Sequence, residues 1–210
     1  MATETTETTT ETTETTETTT STTSTTETTS TSTSTDGCST GDGTPVDASA
    51  ACNQIAKIEG NGKYTQQNAA RFSAAAGRYQ FMGSTAVGVI VGMGAASSKS
   101  AATTKWTQCR TSNSQECKSL QDKMCNYYST QILSQLKAKG IPTTTRNLYL
   151  AWNQGVGGAS AILKAAAAGT TVTNPNIAGN MKNQAWVKTA DAAKFLAGLE
   201  GWMRQRGVTP

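Results

Sequence analysis

Apolar side chains recur at intervals of three and four residues through most of the chain after position 46, and this spacing gathers them on one face of an α-helix. The longest such stretch predicts a helix from Asn113 to Lys139. Asn113 and Glu116 resemble a capping box at its start, and Gly140 and Pro142 stop it. Its apolar stripe, to which we assign a core role and no chemistry, consists of Cys117, Leu120, Met124, Tyr128, Ile132 and Leu136.

Shorter helices are predicted on both sides of this one. Asp47 is placed to cap a helix that continues through Ile58. Thr143 is placed to cap another, which leads to a glycine break at 155–158 and resumes over 160–168. Residues 174–206 add one or two helices with four inward-facing side chains, Trp186, Phe195, Leu199 and Trp202. The expected fold class is therefore mainly α.

One stretch departs from the helical pattern. Residues 93–107 are mostly Ala, Ser, Thr and Lys, which predicts a loop anchored by Trp106. Because the body of a tryptophan is usually buried, a core position is favoured for Trp106 over a sugar-stacking surface.

The first 35 residues have a different composition from the rest. Residues 3–35 are 22 Thr, 5 Ser and 6 Glu, which cannot bury a core of their own. One interpretation is a solvated or O-glycosylated tail. The other is an anchor laid along partner subunits of a large assembly, because β-branched Thr favours an extended backbone that would span on the order of 100 Å.

The composition predicts one globular domain at 47–210, joined to the tract by a turn-rich linker at 36–46. All 18 Lys and Arg follow the tract, against eight acidic residues, so the formal charge of this part is +10. Such a surface favours polyanions. Nucleic acid is not expected as a partner, because the basic residues are scattered along the chain.

Histidine is absent from the sequence. Ser-His-Asp and Cys-His hydrolases and His-ligated zinc enzymes are therefore excluded. Enzymes that cleave glycans with carboxyl groups need no histidine and stay open.

Five cysteines are present, without Cys-x-x-Cys spacing, so no structural zinc site is expected. In the producing cell all five could stay thiols, whereas release from that cell would allow them to oxidise. We expect one or two disulfides, with Cys109–Cys117 and Cys38–Cys52 as the predicted pairs, and an intermolecular bond is open to the cysteine left over.

Glu59 stands where a predicted helix gives way to a glycine-rich loop beginning with Gly60 and Gly62. Burial and the negative end of a helix dipole both disfavour an ionised carboxylate, so they raise its pKa toward the range of a general acid. Further on, Gly77 opens a turn that carries Arg78 and Gln80, which suit the wall of a sugar-binding cleft.

Three motifs follow one another along the chain: Glu59-Gly60; Ser73 with Gly77-Arg78-Tyr79-Gln80; and Ala-Trp-Asn-Gln-Gly-Val-Gly at 151–157. In this order they resemble the motifs of soluble lytic transglycosylases, and still more the version found in lambdoid phage endolysins. The resemblance covers roughly residues 50–165. Gly60 replaces the serine that usually follows the glutamate, and Trp152 replaces a tyrosine.

The resemblance implies a lysozyme-like helical domain that cleaves the β-1,4 bond between N-acetylmuramic acid and N-acetylglucosamine and forms a 1,6-anhydro product. Glu59 would be the catalytic acid and then the base, with no cofactor and no metal. The substrate-binding side chains would be Ser73, Tyr79, Gln80, Tyr149, Trp152, Asn153 and Gln154. Alone, Asn153 would be interpreted as a helix cap; beside Glu59 and Gln80 it is interpreted as a partner of a sugar N-acetyl group.

Three alternatives stay open. A hydrolytic muramidase of the same fold would need a second carboxylate, for which Asp47 and Glu116 are the nearest in sequence. A structural virion protein with an inactive cleft is favoured by Gly60 and Trp152. A wall-binding module would use the basic charge without chemistry.

The sequence starts with neither a basic n-region nor an apolar h-region, and it contains no transmembrane stretch, so we expect neither a signal peptide nor a membrane span. Delivery by a phage particle, with action on peptidoglycan in the periplasm or cell wall, would bring such an enzyme to its substrate. Release through a holin-made lesion is the alternative.

Overall fold

The computed structural model describes residues 45–60, 62–67 and 74–210, and in these residues the chain forms seven α-helices joined by short connections. The helices are α1 (Ala48–Gly60), α2 (Gly83–Gly92), α3 (Lys99–Cys109), α4 (Gln115–Ala138), α5 (Thr145–Ala167), α6 (Pro175–Lys182) and α7 (Ala192–Gln205). Pairing between extended segments in this part of the chain is limited to isolated bridges. The predicted mainly α class is confirmed.

Helix α4 lies at the centre of the packing, in contact with α1, α2, α3 and α5. Its N-cap lies one residue later than predicted, because the hydroxyl of Ser114, and not Asn113, accepts the hydrogen bond from the Cys117 amide. The predicted apolar stripe is buried, with one exception: Tyr128 is only partly buried.

The prediction of a loop at 93–107 is wrong for the second half of this stretch, which belongs to helix α3. Ser98 caps the helix by accepting from the Ala101 amide, and three threonine hydroxyls bond to carbonyls four residues back. A buried face that includes Ala102 and Trp106 outweighs the weak helix propensity of Ser and Thr. Trp106 is fully buried, so its predicted core role is confirmed.

Helix α5 is capped by Thr144, one residue after the predicted Thr143. The predicted break is a kink at Gly155, where φ is 70° and ψ is 159°. This backbone conformation is essentially restricted to glycine. The kink turns the chain directly after Trp152 and Asn153.

Two disulfides join the described cysteines. Cys109–Cys117 is confirmed, and it links the end of α3 to the start of α4. The predicted Cys38–Cys52 pair is wrong, because Cys52 is bonded to Cys125. The packing of α1 on α4 brings these two Cα atoms to 5.9 Å across 73 residues of sequence, a proximity that spacing along the chain does not encode.

The C-terminal region forms two helices, α6 and α7, capped by Asn174 and Asp191. Phe195 and Leu199 are fully buried, and Trp186 and Trp202 pack against the core while staying partly exposed. No helix in the described part of the chain combines the length and apolar character needed to cross a bilayer. The predicted N-terminal tract, most of the linker, Ser73 and Cys38 lie outside the described residues.

Candidate functional site

Glu59 is the penultimate residue of α1, the helix that Asp47 caps through a 2.8 Å bond from the Ala50 amide to Oδ1. Ile55, Ala56 and Ile58 bury the inner face of the helix and fix its position against α4 and α5. On α5 the fully buried Tyr149 points its hydroxyl at the glutamate and donates a 2.9 Å hydrogen bond to Oε1.

The environment of Glu59 favours the protonated form. Burial raises the pKa of its carboxyl to about 7, while the Tyr149 hydrogen bond and the positive charge of Arg206 oppose part of that shift. Burial and the neighbouring Glu59 also raise the pKa of Tyr149 well above 10, so its hydroxyl stays a donor. The carboxyl is therefore held in one orientation and is poised to change protonation state near neutral pH.

The carboxyl lies at a cleft of about 280 Å³. The residues that line the cleft are Glu59, Ala75, Gln80, Phe81, Met82, Thr85, Tyr128, Trp152 and Asn153. Four predicted site residues, Glu59, Gln80, Trp152 and Asn153, thus come together from three separate segments of the chain. In addition, Gln154 donates to Asn153 Oδ1 through Nε2 at 2.6 Å, which orients the Asn153 amide.

The turn that carries Gln80 is anchored on α4 by Gln121. Gln121 Oε1 accepts from the Arg78 amide at 2.8 Å, and Nε2 donates to the Cys109 carbonyl at 2.9 Å. Gly77 has φ 77°, and a Cβ there would stand 2.5 Å from Gln121 Oε1, so both conformation and space require glycine. Gln80 has φ 50° and donates to the Gly77 carbonyl, and its Oε1 has no hydrogen-bond partner among the described residues.

One side of the cleft is aromatic. Phe81, Tyr128 and Trp152 form a cluster in which Trp152 lies 5.0 Å from each of the other two ring centroids. Sequence reasoning missed Tyr128, because it assigned the α4 stripe wholly to the core. The signal available in the sequence was the hydroxyl of Tyr128 on an otherwise apolar stripe. A tyrosine hydroxyl needs a hydrogen-bond partner or contact with solvent.

Met82 and Thr85 were also missed. Met82 is the N-cap residue of α2, and its side chain is 48% exposed at the cleft. Met82 belongs to no pattern that sequence alone would single out, whereas Thr85 begins the Thr85-Ala86 pair that ends the motif-bearing stretch and was not assigned to the site.

Other predicted site residues do not line the cleft. The Tyr79 hydroxyl donates to Asp122 Oδ1 at 2.7 Å, in a cluster with Tyr64 and Arg78. Tyr149 acts through Glu59, and Gln154 through Asn153. Trp186 packs beside Tyr149, with ring centroids 6.3 Å apart.

The raised pKa of Glu59 predicts a pH-dependent effect of Glu59→Gln on stability. The folded chain holds this proton with a pKa of about 7 against 4.5 as the ordinary value. The stability contributed by the group is complete below pH 4.5 and is lost as the pH rises through 7. Glutamine does not ionise, so the stability of the variant does not fall in this way as the pH rises. The free energy of unfolding of the variant should therefore exceed that of the wild type by up to about 3 kcal/mol at pH 8 and by much less at pH 5. Urea unfolding at both pH values measures this, and an equal difference at pH 5 and 8 would contradict it.

A metal site is not evident in the described residues, where no three Cys, Asp or Glu side chains gather as ligands. No protein-family model, curated protein or solved structure matches this chain. The geometry of the cleft and the motifs of the sequence are therefore the basis for a functional assignment.

Proposed function

We propose that the protein is a peptidoglycan lytic transglycosylase of lysozyme-like fold. It cleaves the β-1,4 bond between N-acetylmuramic acid and N-acetylglucosamine and leaves a 1,6-anhydro product. The observation that carries the proposal is the Glu59 carboxyl, which has a pKa of about 7, is held by Tyr149 and lies at a cleft lined by amide and aromatic side chains.

In this reaction Glu59 acts twice. Its protonated carboxyl donates to the glycosidic oxygen as the bond to C1 of the muramic residue breaks. The resulting carboxylate takes the proton of the C6 hydroxyl of the same sugar, whose oxygen attacks C1 and closes the ring. The enzyme ends with its proton restored, and no water is consumed.

The environment of Glu59 suits both steps. A pKa near the working pH gives useful populations of acid and base, which is where general acid and base catalysis is most effective. Tyr149 donates to Oε1 and so leaves Oε2 to carry the proton that is transferred. The Tyr149 hydrogen bond also stabilises the carboxylate formed after the first transfer.

The remaining lining residues supply sugar contacts. Asn153 and Gln80 carry amides that can both donate to and accept from N-acetyl groups. The Oε1 atom of Gln80 is buried without a hydrogen-bond partner among the described residues, so a sugar amide N–H would reach it only after the side chain moves. Trp152 and Tyr128 offer apolar faces against which a pyranose ring can pack.

The carboxylates of the described residues favour this reaction over hydrolysis by two carboxyl groups. Asp47 lies about 18 Å from Glu59 along α1, and Glu116 lies about 18 Å from Tyr128 along α4, at 1.5 Å per residue. Paired glycosidase carboxyls are about 5 to 9.5 Å apart.

The other described acids are engaged elsewhere. Asp122 accepts from Tyr64 and Tyr79, Asp191 caps α7, and Glu200 pairs with two arginines. Glu59 is the only described acid that lines the cleft. Because the C6 hydroxyl of the substrate itself is the nucleophile, the proposed reaction needs no second carboxyl group.

We also propose that the enzyme is carried by a phage particle and acts on the wall of the host, with residues 1–35 contacting other virion or tail subunits. The support is the composition of the tract, in which Thr, Ser and Glu make up all of residues 3–35. A segment of this composition has too few apolar side chains to bury a core of its own, so contacts with partner subunits are a role open to it.

Mass spectrometry of muropeptides released from purified sacculi by the full chain tests the proposed reaction. We expect anhydro-muropeptides. Products with reducing ends would contradict the proposal and indicate that the protein is a hydrolytic muramidase. If no glycan fragments are released, the proposed reaction is contradicted, and a structural or wall-binding role for the cleft is favoured.

A further inference from the structure

A second cavity, of about 700 Å³, adjoins the same end of α1. It is lined by three cationic side chains, Lys57, Arg78 and Arg206, and by the uncharged Asn53, Ala56, Gly62 and Gln205. No carboxylate is among its described lining residues. The proposed cleavage reaction gives no role to this cavity, which we call the basic cavity.

Much of the hydrogen-bonding capacity of these cations is unused by the described residues. Arg206 lies 3.1 Å from the Trp202 ring centroid and donates through Nε to the Ile58 carbonyl at 3.0 Å. Its two terminal nitrogens have no partner among the described residues, and neither has the ammonium of the exposed Lys57. The stacking fixes the Arg206 guanidinium as a preformed fork for an anion.

Arg78, which also lines the cavity, is held by side chains of other segments. It bonds to the Tyr64 hydroxyl, and its Nη1 lies 3.6 Å from Asp122 Oδ1. Its Nε is buried without a hydrogen-bond partner in the described part of the chain. A buried unpaired donor is unfavourable unless a ligand satisfies it.

The basic cavity and the cleft share the same two segments. Arg206 donates to the carbonyl next to Glu59, and Lys57 precedes Glu59 by two residues. Arg78 stands two residues before Gln80 in the turn at 77–80. The two sites are therefore neighbours along α1 and along the turn, and the basic cavity is the adjoining site for a group that extends from a sugar bound in the cleft.

We propose that the basic cavity binds carboxylates of the stem peptide that N-acetylmuramic acid carries on its lactyl group. The inference rests on the proposed function, because it takes the muramic residue to lie next to Glu59. Each stem bears free carboxylates beyond its first amino acid, and a cavity lined by three cations, of which Arg78 alone is paired with a carboxylate among the described residues, suits such a ligand. The cavity thus selects stem-bearing strands over bare ones.

Binding to the catalytically disabled Glu59→Gln full chain tests the proposal by calorimetry. The ligands are soluble glycan strands that carry stems and the same strands after an amidase has removed them, which leaves the lactyl carboxylate as the one anionic group on each muramic residue. We expect stem-bearing strands to bind about tenfold more tightly at low salt, with the difference shrinking as ionic strength rises.

Single variants in the same background locate the effect. Lys57→Gln should weaken binding of stem-bearing strands about threefold, as expected for an exposed charge. Arg206→Gln should weaken it about tenfold, as expected for a preformed guanidinium. Affinity for stem-free strands should not change. Lys137→Gln is the matched control, because Lys137 is also an exposed lysine in the last turn of a helix, α4, as Lys57 is in α1.

The outcomes separate the two proposals. Equal affinity for both strands, or a stem preference that Lys57→Gln and Arg206→Gln leave intact, would overturn the stem-peptide site alone. Binding of a phosphate polymer that is lost in Lys57→Gln, without any stem preference, would reassign the cavity to wall phosphates. Failure of both strands to bind would count against the glycan cleft itself.

Discussion

Replacing Glu59 by glutamine is expected to slow glycan cleavage about 10²- to 10⁴-fold, the range found when a general acid or base is removed. Glutamine keeps the shape of the side chain and an oxygen that can accept from Tyr149, but it has no proton to give to the leaving oxygen and cannot take one from the C6 hydroxyl. The loss should therefore appear in kcat, with substrate affinity nearly unchanged. Release of muropeptides from sacculi under initial-rate conditions measures it.

Glu116→Gln is the matched control for that substitution. Glu116 is exposed in the first turn of α4 and is one of the two acids nearest in sequence to the candidate site. Its replacement should leave the rate within about twofold of wild type, as is usual for surface changes. A Glu59→Gln enzyme of normal activity would end the assignment of Glu59, and a large loss in Glu116→Gln would revive a two-carboxylate hydrolase.

Removal of the Cys52–Cys125 disulfide is expected to lower the free energy of unfolding by about 4 kcal/mol, because this bond closes a 73-residue loop in the unfolded chain. The loop contains Glu59, the turn at 77–80 and both α2 and α3, so the bond restrains most of the cleft. Guanidinium unfolding of the double variant Cys52→Ala/Cys125→Ala, compared with the wild type, measures the difference.

The Cys109–Cys117 bond supplies the internal comparison. It closes only eight residues, so Cys109→Ala/Cys117→Ala should lose about 2.5 kcal/mol by the same argument. Equal losses in the two double variants would show that loop length does not govern the effect. A smaller loss for the longer loop would contradict the prediction outright.

Local features of the fold follow from short stretches of sequence. The stripe on α4 predicts a buried helix because residues three and four apart share a face, and Gly155 marks a break because it adopts a conformation that other residues avoid. The caps of α4 and α5 were each misplaced by one residue. In both places two neighbouring residues were capable of capping, Asn113 and Ser114 or Thr143 and Thr144, and only the backbone geometry selected the second.

Helix α3 is the clearest case in which packing overrode local preference. Its Ser- and Thr-rich sequence predicts a loop, yet Trp106 is buried and Cys109 is bonded to α4. The free energy of burying a tryptophan exceeds the small propensity penalties of the neighbouring threonines. No window of sequence contains the partner surface that makes this burial possible.

The sequence by itself determined the helical class, the position of Glu59 at the end of a helix, and the order of the three motifs, because each depends on residues close together in the chain. The tertiary structure decided which of those residues meet. It placed Tyr149 on Glu59 across 90 residues, paired Cys52 with Cys125, and turned Tyr79 toward Asp122 and away from the cleft. The pKa of about 7 belongs to the second group, since desolvation depends on every segment that packs around the carboxyl.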